Sequence, residues 1–224
     1  MSTDMVQSES EGATRAAEDS SGDTRQRILQ SALQTFAAQG FDGTTTRQIA
    51  DHAGVNLGLL QYHFGGKEKL WRAAVDLAFS RLKSGLVAID DDETVVDDLQ
   101  RIRLLIRDHV RFVAHNPEFV RIMHDVGKRP GPRMEWLVDT HVRPLYEGIE
   151  ALLERAGHRM RLPDDVPPIH FHYVLAGAVS LIFHQSEECL RLSGVDAFAP
   201  ETIETHARVV EHFLIGPTTE QAET

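Results

Sequence analysis

The sequence predicts an all-α protein, and three observations predict it. From residue 24 nearly to the end of the 224-residue chain, apolar residues recur at three- and four-residue spacing. No run of alternating β-branched residues interrupts that pattern, and no motif repeats at a fixed period. Glycine, asparagine and proline fall where such helices would start and stop. An apolar content of 42 % over this length is enough for a sizeable core.

Residues 1–22 are rich in Ser, Glu, Asp and Thr, with too few apolar side chains to offset the entropy of ordering; they are expected to form a disordered tail. The first helix is expected over 24–39, with Ile28, Leu29, Ala32, Leu33 and Phe36 on one side and Gly40 as its stop. A second begins after Thr44 or Thr45, where Thr45-Thr46-Arg47-Gln48 has the form of a capping box, and ends at Gly54. A third, short helix spans 56–63 with Asn56 as N-cap. Gly65-Gly66 separates it from a fourth over 67–83, whose inner side carries Leu70, Trp71, Ala74, Leu77, Ala78 and Leu82.

An acidic turn at 90–93 introduces the second half. A helix over 94–115 carries Leu99, Ile102, Ile106 and Val113, and Asn116-Pro117 opens another that runs to about 125. After a loop at 127–132, residues 134–156 are helical with Pro144 inside, which removes a bond to Thr140 and predicts a kink. A loop at 162–168 precedes helices at 169–192 and 200–214, parted by Ser193-Gly194. The expected organisation is a tail at 1–22, a small helical domain at 23–70, a larger one at 71–216 and a C-terminal tail at 217–224.

Thirty-four acidic residues stand against 23 basic ones, a net charge of −11 that by itself argues against a phosphate-rich partner. The single cysteine, Cys189, excludes an intrachain disulfide and fits a reducing compartment. The longest strongly apolar stretch, 174–183, is about half of a bilayer span, so no membrane partner is expected. Asp4 and Glu9 stand where a signal peptide would be basic and then apolar; the expectation is a soluble cytoplasmic protein.

Residues 44–70 carry the chemistry. They read Thr-Thr-Thr-Arg-Gln-Ile-Ala-Asp-His-Ala-Gly-Val-Asn-Leu-Gly-Leu-Leu-Gln-Tyr-His-Phe-Gly-Gly-Lys-Glu-Lys-Leu, a helix-turn-helix. Ala50 is small where two helices cross, Gly54 sits where the turn requires positive φ, and Ile49, Val55 and Leu60 form the wedge between them. The third helix is too short to fold alone, so its purpose is to present outward side chains.

These residues resemble the tetracycline-repressor (TetR) family of one-component transcriptional regulators. The likeness covers about 24–75 and includes Gly40-Phe41, Gly43-Thr44-Thr45, Ile49-Ala50, Ala53-Gly54-Val55, Tyr62-His63-Phe64 and Lys67-Glu68 followed by Leu70. One departure is Gln61, which replaces a tyrosine common in that family's recognition helix, with Tyr62 beside it. Within 24–75 the charge objection dissolves. Six basic residues (Arg25, Arg27, Arg47, Lys67, Lys69, Arg72) face three acidic ones (Asp42, Asp51, Glu68), a local net of +3.

The resemblance and the chemistry of the side chains together assign roles as expectations. Thr45, Tyr62, His63 and Lys67 are expected at the phosphate backbone, Lys67 with the positive end of the fourth helix behind it, and Thr46 is expected at the DNA beside them. Arg47, Asn56, Leu57, Gly58 and Gln61 are expected in the groove: Arg47 suits guanine, Gln61 adenine and Leu57 a thymine methyl.

For the second half, the resemblance implies a homodimer formed by the last two helices and a small-molecule effector bound within the domain. Two-fold symmetry implies a palindromic double-stranded DNA operator. Ala176-Gly177-Ala178 and Ser180, with Leu175, Ile182 and Phe183 around them, offer a small-residue surface, and Ile203, Val209, Val210 and Phe213 face it from the last helix. The expected ligand lining is Phe112, Phe119, Met123, Trp136, Tyr146 and His172, with Leu137, Phe171, Phe183, His109, Arg121 and His141 as further members, matching a largely apolar or aromatic effector.

No metal site and no cofactor is expected: twelve histidines include no i, i+4 pair, and His170 and His172 fall on different helix faces. His184 with Glu187 or Glu188 fits a solvated face better than a ligand set. No nucleophile elbow or phosphate-cradling glycine loop appears, so no catalytic residues are named and no enzyme is expected. The expected function is a ligand-responsive, dimeric DNA-binding repressor. The alternative is a small-ligand-binding helical protein whose helix-turn-helix is a protein-interaction module.

Overall fold

A computed structural model describes residues 3–90, 97–128, 130–157 and 165–216, and every regular element among them is helical. The helices are α1 (Thr3–Gly43), α2 (Thr46–Ala53), α3 (Leu57–Phe64), α4 (Lys67–Asp90), α5 (Asp98–His115) and α6 (Pro117–Gly127). They continue with α7 (Pro132–Leu137), α8 (Arg143–Ala156), α9 (Pro168–His184), α10 (Ser186–Ser193) and α11 (Pro200–Ile215), and a π-helical turn at Val138–Val142 joins α7 to α8. The chain divides into two compact units, Met1–Leu77 and Ala78–Thr224. Their boundary lies inside α4, which runs uninterrupted to Asp90, past the end expected at Lys83, with Ser84 and Gly85 taken up in the helix.

In the first unit, Ile28, Leu29, Ala32, Leu33 and Phe36 are buried with Ile49, Ala50, Leu60, Leu70, Trp71 and Ala74. Each large side chain removed from water in this way contributes about 1.5–3 kcal/mol. Phe41 stacks on Phe36 at 5.9 Å and meets the edge of Trp71 at 6.2 Å. Gly40 breaks the helix as expected, with φ 69° and ψ 173° inside the span of α1. Within the expected tail at 1–22, the backbone follows α1 from Thr3 onward. The segment has no proline and includes Glu9, Glu11, Ala13, Arg15, Ala16, Ala17 and Glu18. Such residues favour a helical backbone whether or not they supply a core, and the compositional criterion weighs burial alone.

The second unit is built around α5, which packs against α8, α9 and α11. Ile102, Ile106, Val110 and Val113 of α5 are buried with Phe171, Leu175 and Val179 of α9 and Ile203, Ala207 and Val210 of α11. A buried carboxylate ties α11 to α5. Glu211, 3 % exposed, accepts from Arg103 at 2.7 Å and from Arg107. One layer along, Arg111 donates twice to Glu204, at 2.6 and 2.7 Å. His206 Nε2 lies 2.8 Å from the Ala178 carbonyl oxygen, joining α11 to α9.

Two expected helices are corrected. The kink at Pro144 takes the form of the π-helical turn just before it: the Arg143 N–H reaches back to the Val138 carbonyl, and the wider turn absorbs the bond that proline cannot make. The single helix expected over 169–192 is two, α9 and α10, because Gln185 leaves helical geometry at φ −106° and ψ 34°. Nothing in the local sequence marks that break. The expected helix start at 94, most of the acidic turn at 90–93, residues 162–164 of the loop at 162–168 and the C-terminal tail at 217–224 lie outside the described residues.

Candidate functional site

The helix-turn-helix is assembled from local hydrogen bonds. Thr45 Oγ1 accepts from the Gln48 N–H at 3.2 Å, while Gln48 Oε1 accepts from the Thr45 N–H at 2.8 Å, completing the capping box. Gly54 ends α2 in the left-handed region at φ 66°, which a side-chain-bearing residue rarely adopts. The Val55 N–H then donates to the Ala50 carbonyl at 3.0 Å, and Asn56 Oδ1 caps α3 by accepting from the Leu59 N–H at 2.8 Å. Ile49, Ala50 and Leu60 are buried, with Val55 half-buried at the edge of the same wedge.

With Leu60 and Phe64 turned inward, α3 presents the other side chains to solvent. Leu57 is 37 % exposed and Tyr62 83 %, and Asn56, Gly58 and Gln61 are exposed beside them. Arg47 and Thr45 are exposed on and before α2, and Thr46 is half-buried. His63 is half-buried with its ring 5.4 Å from that of Tyr62. Lys67 opens α4, with its ammonium 4.4 Å from the centre of the Phe41 ring and donating to the Asp42 carbonyl at 3.5 Å. All ten residues expected at nucleic acid therefore belong to the capped segment from Thr45 to Lys67. Arg25, not expected there, sets its guanidinium 5.4 Å over Phe64; its place one turn ahead of Ile28 and Leu29 was the signal available.

The second unit holds a partly open cavity of about 440 Å³. Its wall is aliphatic: Leu82 and Leu86 of α4, Ile102, Leu105 and Ile106 of α5, and Leu145, Ile149, Leu152 and Leu153 of α8. Arg101, His109, Arg155 and His172 supply the polar part, and among the described residues Phe171 is its one Phe, Tyr or Trp ring. Of the residues expected at a ligand, His172, Phe171 and His109 line this cavity. Phe112, Phe119, Met123, Trp136 and Tyr146 do not line the cavity, nor do Leu137, Phe183, Arg121 and His141. The aromatic rings have packed on one another instead. Phe119 meets Phe79 and Phe112 at 5.1 Å each, Trp136 meets His141 at 5.3 Å, and Phe183 meets Phe198 at 5.6 Å. Edge-to-face ring pairs fill space, and the void is left among branched aliphatic side chains. The missed residues share a visible pattern: Leu145, Gly148, Ile149 and Leu152 recur at three and four along α8.

Burial, with a smaller contribution from His172, pushes His109 down to about 4, and burial lowers His172 as well. Both rings are neutral imidazoles at pH 7. On the outer side of the same unit, α9–α11 expose Tyr173, Val174, Leu181, Leu192 and Phe213, each more than half accessible. Gly177, Ala178, Leu181, Leu192 and Cys189 border a shallow groove between them. Among the described residues no group of three or more His, Cys, Asp or Glu side chains is placed to hold a metal ion, and no helix is long and apolar enough to cross a membrane.

A capped helix-turn-helix with a solvent-facing second helix, joined to a larger helical unit with an apolar cavity, defines a DNA-binding transcriptional regulator of two helical domains. Residues 28–74 match the family model for bacterial regulatory proteins of the tetR family. The chain belongs to the tetR family. It is 29 % identical over 158 residues to the HTH-type transcriptional repressor AcnR of Corynebacterium efficiens, covering 68 % of this chain and 76 % of that protein. It is 30 % identical over 139 residues to the HTH-type transcriptional repressor KstR2 of Mycobacterium tuberculosis, covering 56 % and 66 %. Its fold matches that of AibR, solved with isovaleryl coenzyme A and operator DNA, with a TM-score of 0.69 at 19 % identity, covering 87 % of this chain and 100 % of that one.

Proposed function

We propose that the protein is a dimeric, effector-responsive repressor of the cytoplasm, without enzymatic activity, that holds a palindromic operator through α2, α3 and the start of α4. The observation that carries this reading is the exposed face of α3, held outward by two capped helix ends in a region of net +3 charge. Thr45, Thr46, Tyr62, His63 and Lys67 hold phosphates; Arg47, Asn56, Leu57, Gly58 and Gln61 meet the groove. The acidic remainder of the chain repels phosphate and favours approach by this face. The exposed apolar face of α9–α11 is the dimer surface, a two-fold contact that sets two α3 helices about one DNA turn apart.

The aliphatic cavity receives the effector. Its wall suits a branched or straight acyl group, and the likeness to AibR, whose complex carries isovaleryl coenzyme A, supports an acyl-bearing class over an aromatic one. Linkage then requires that effector and operator weaken each other by one common factor.

The test is titration of the purified protein against its gene's own upstream DNA at several salt concentrations. Tight binding with a steep fall as salt rises is the expected result. No preference over random duplex would overturn the reading in favour of an interaction module. Within it, Gln61→Ala is expected to cost about 1–3 kcal/mol at one operator position and to relax preference there. A loss spread evenly over all operator variants would remove Gln61 from base readout.

A further inference from the structure

The cavity has two polar ends, and they differ in kind. On α5, Arg101 and His109 lie on one face eight residues apart, about 12 Å along the helix axis. Side chains lean toward the start of their own helix, so Arg101 reaches away from His109. An independent ruler is α8, which runs the opposite way. Near its start, the Tyr146 ring meets His172 at 5.8 Å; near its end, Arg155 donates to Asp98, in the first turn of α5, at 3.3 Å. Both helices therefore place the guanidinium groups at one end and the two imidazoles at the other, with leucine and isoleucine between them.

The imidazole end is unusual for an apolar wall. His109 touches the Phe112 ring edge and His172 the rings of Tyr146 and Tyr173, yet among the described residues neither makes a hydrogen bond to protein. Both residues are half-buried, and both line the space a ligand would fill. The charged groups lining the cavity, Arg101 and Arg155, lie at the far end, so an anionic headgroup belongs there and not beside the histidines. Neutral imidazoles donate or accept according to tautomer, which suits an oxygen that carries no charge.

We propose that His109 and His172 form a recognition point for an uncharged oxygen, a hydroxyl or a carbonyl, carried on an otherwise aliphatic effector at the end remote from its acidic group. This rests on the reading of the cavity as the effector site and specifies the effector's chemistry. A plain hydrocarbon tail filling the cavity would cover two half-buried imidazoles and offer them no hydrogen bond, and discrimination by such groups is strong. The pattern describes an oxygenated aliphatic or alicyclic acid.

The test compares decanoic acid with ω-hydroxydecanoic acid by calorimetric titration of the full-length protein and of its His109→Leu, His172→Phe and His172→Gln variants. The wild type is expected to favour the hydroxy acid about tenfold, a difference of about 1.4 kcal/mol. His109→Leu and His172→Phe are expected to lose that preference while binding decanoic acid as before, and His172→Gln, which keeps a hydrogen-bonding group, to retain part of it. Far-ultraviolet circular dichroism and DNA binding by the same preparations establish that each variant is folded. Equal wild-type affinities, or a preference that survives in both apolar variants, would overturn the recognition point and leave the effector cavity standing. Failure of either acid to bind, with DNA binding intact, would overturn the recognition point and the aliphatic effector together.

Discussion

Replacing Glu211 with alanine is expected to lower the unfolding free energy by about 3–5 kcal/mol, the range for breaking a buried ion pair from one side. Glu211 is the carboxylate shared by Arg103 and Arg107, and its side chain is 4 % exposed, against 14 % for Arg103 and 38 % for Arg107. Taking it away leaves Arg103 largely dehydrated without its carboxylate and removes the tie between α5 and α11. Arg103 keeps its bond to the Gly216 carbonyl at 3.0 Å. Glu211→Gln retains hydrogen bonding and is expected to cost less than the alanine variant. Chemical denaturation monitored by circular dichroism reads both. A loss below about 1 kcal/mol for the alanine variant would place this cluster with ordinary surface pairs. The neighbouring Arg111–Glu204 pair, bidentate but exposed, is expected to matter much less.

A second large effect is expected from the outer face of the same unit. Leu181 is 53 % and Phe213 78 % exposed in the single chain, so Leu181→Glu with Phe213→Glu should cost little folding stability. At a dimer surface the same pair of charges is buried against its own symmetry copy, where like charges meet without water. The double variant is expected to sediment as a monomer at micromolar concentration. Its operator affinity should fall on the order of 100-fold, because linked binding to two half-sites is lost. A variant that remains dimeric would move the interface elsewhere. One that turns monomeric yet binds the operator undiminished would remove the need for two α3 helices.

The parts that were legible before any coordinates are those governed by neighbouring residues. The Thr45–Gln48 capping box, the Gly54 turn, the Asn56 cap and the Gly40 stop each involve groups within a few residues, and all took the expected form. The outward set on α3 followed from the same logic, since Leu60 and Phe64 can face inward together only by turning Gln61 and Tyr62 out. Where competing influences act, the pattern alone was insufficient. The break at Gln185, for one, has no glycine or proline to announce it.

The cavity shows the other limit. Residue type alone points to the aromatic side chains of the second half as a ligand lining. Phe112, Phe119 and Trp136 instead found ring partners, and the space opened among Leu145, Ile149, Leu152 and the facing residues of α5. Which residues of an amphipathic helix meet a neighbour and which meet a void depends on how several helices cross, a non-local quantity.

The sequence by itself determined the all-helical class, the helix-turn-helix and the side chains it presents, because periodicity, caps and turns are short-range interactions written in adjacent residues. Only the tertiary structure decided where the cavity lies, that its wall is aliphatic, and that Arg101 and Arg155 occupy the opposite end from His109 and His172. Those facts arise from helices distant in the chain packing side by side, which no spacing within one helix encodes.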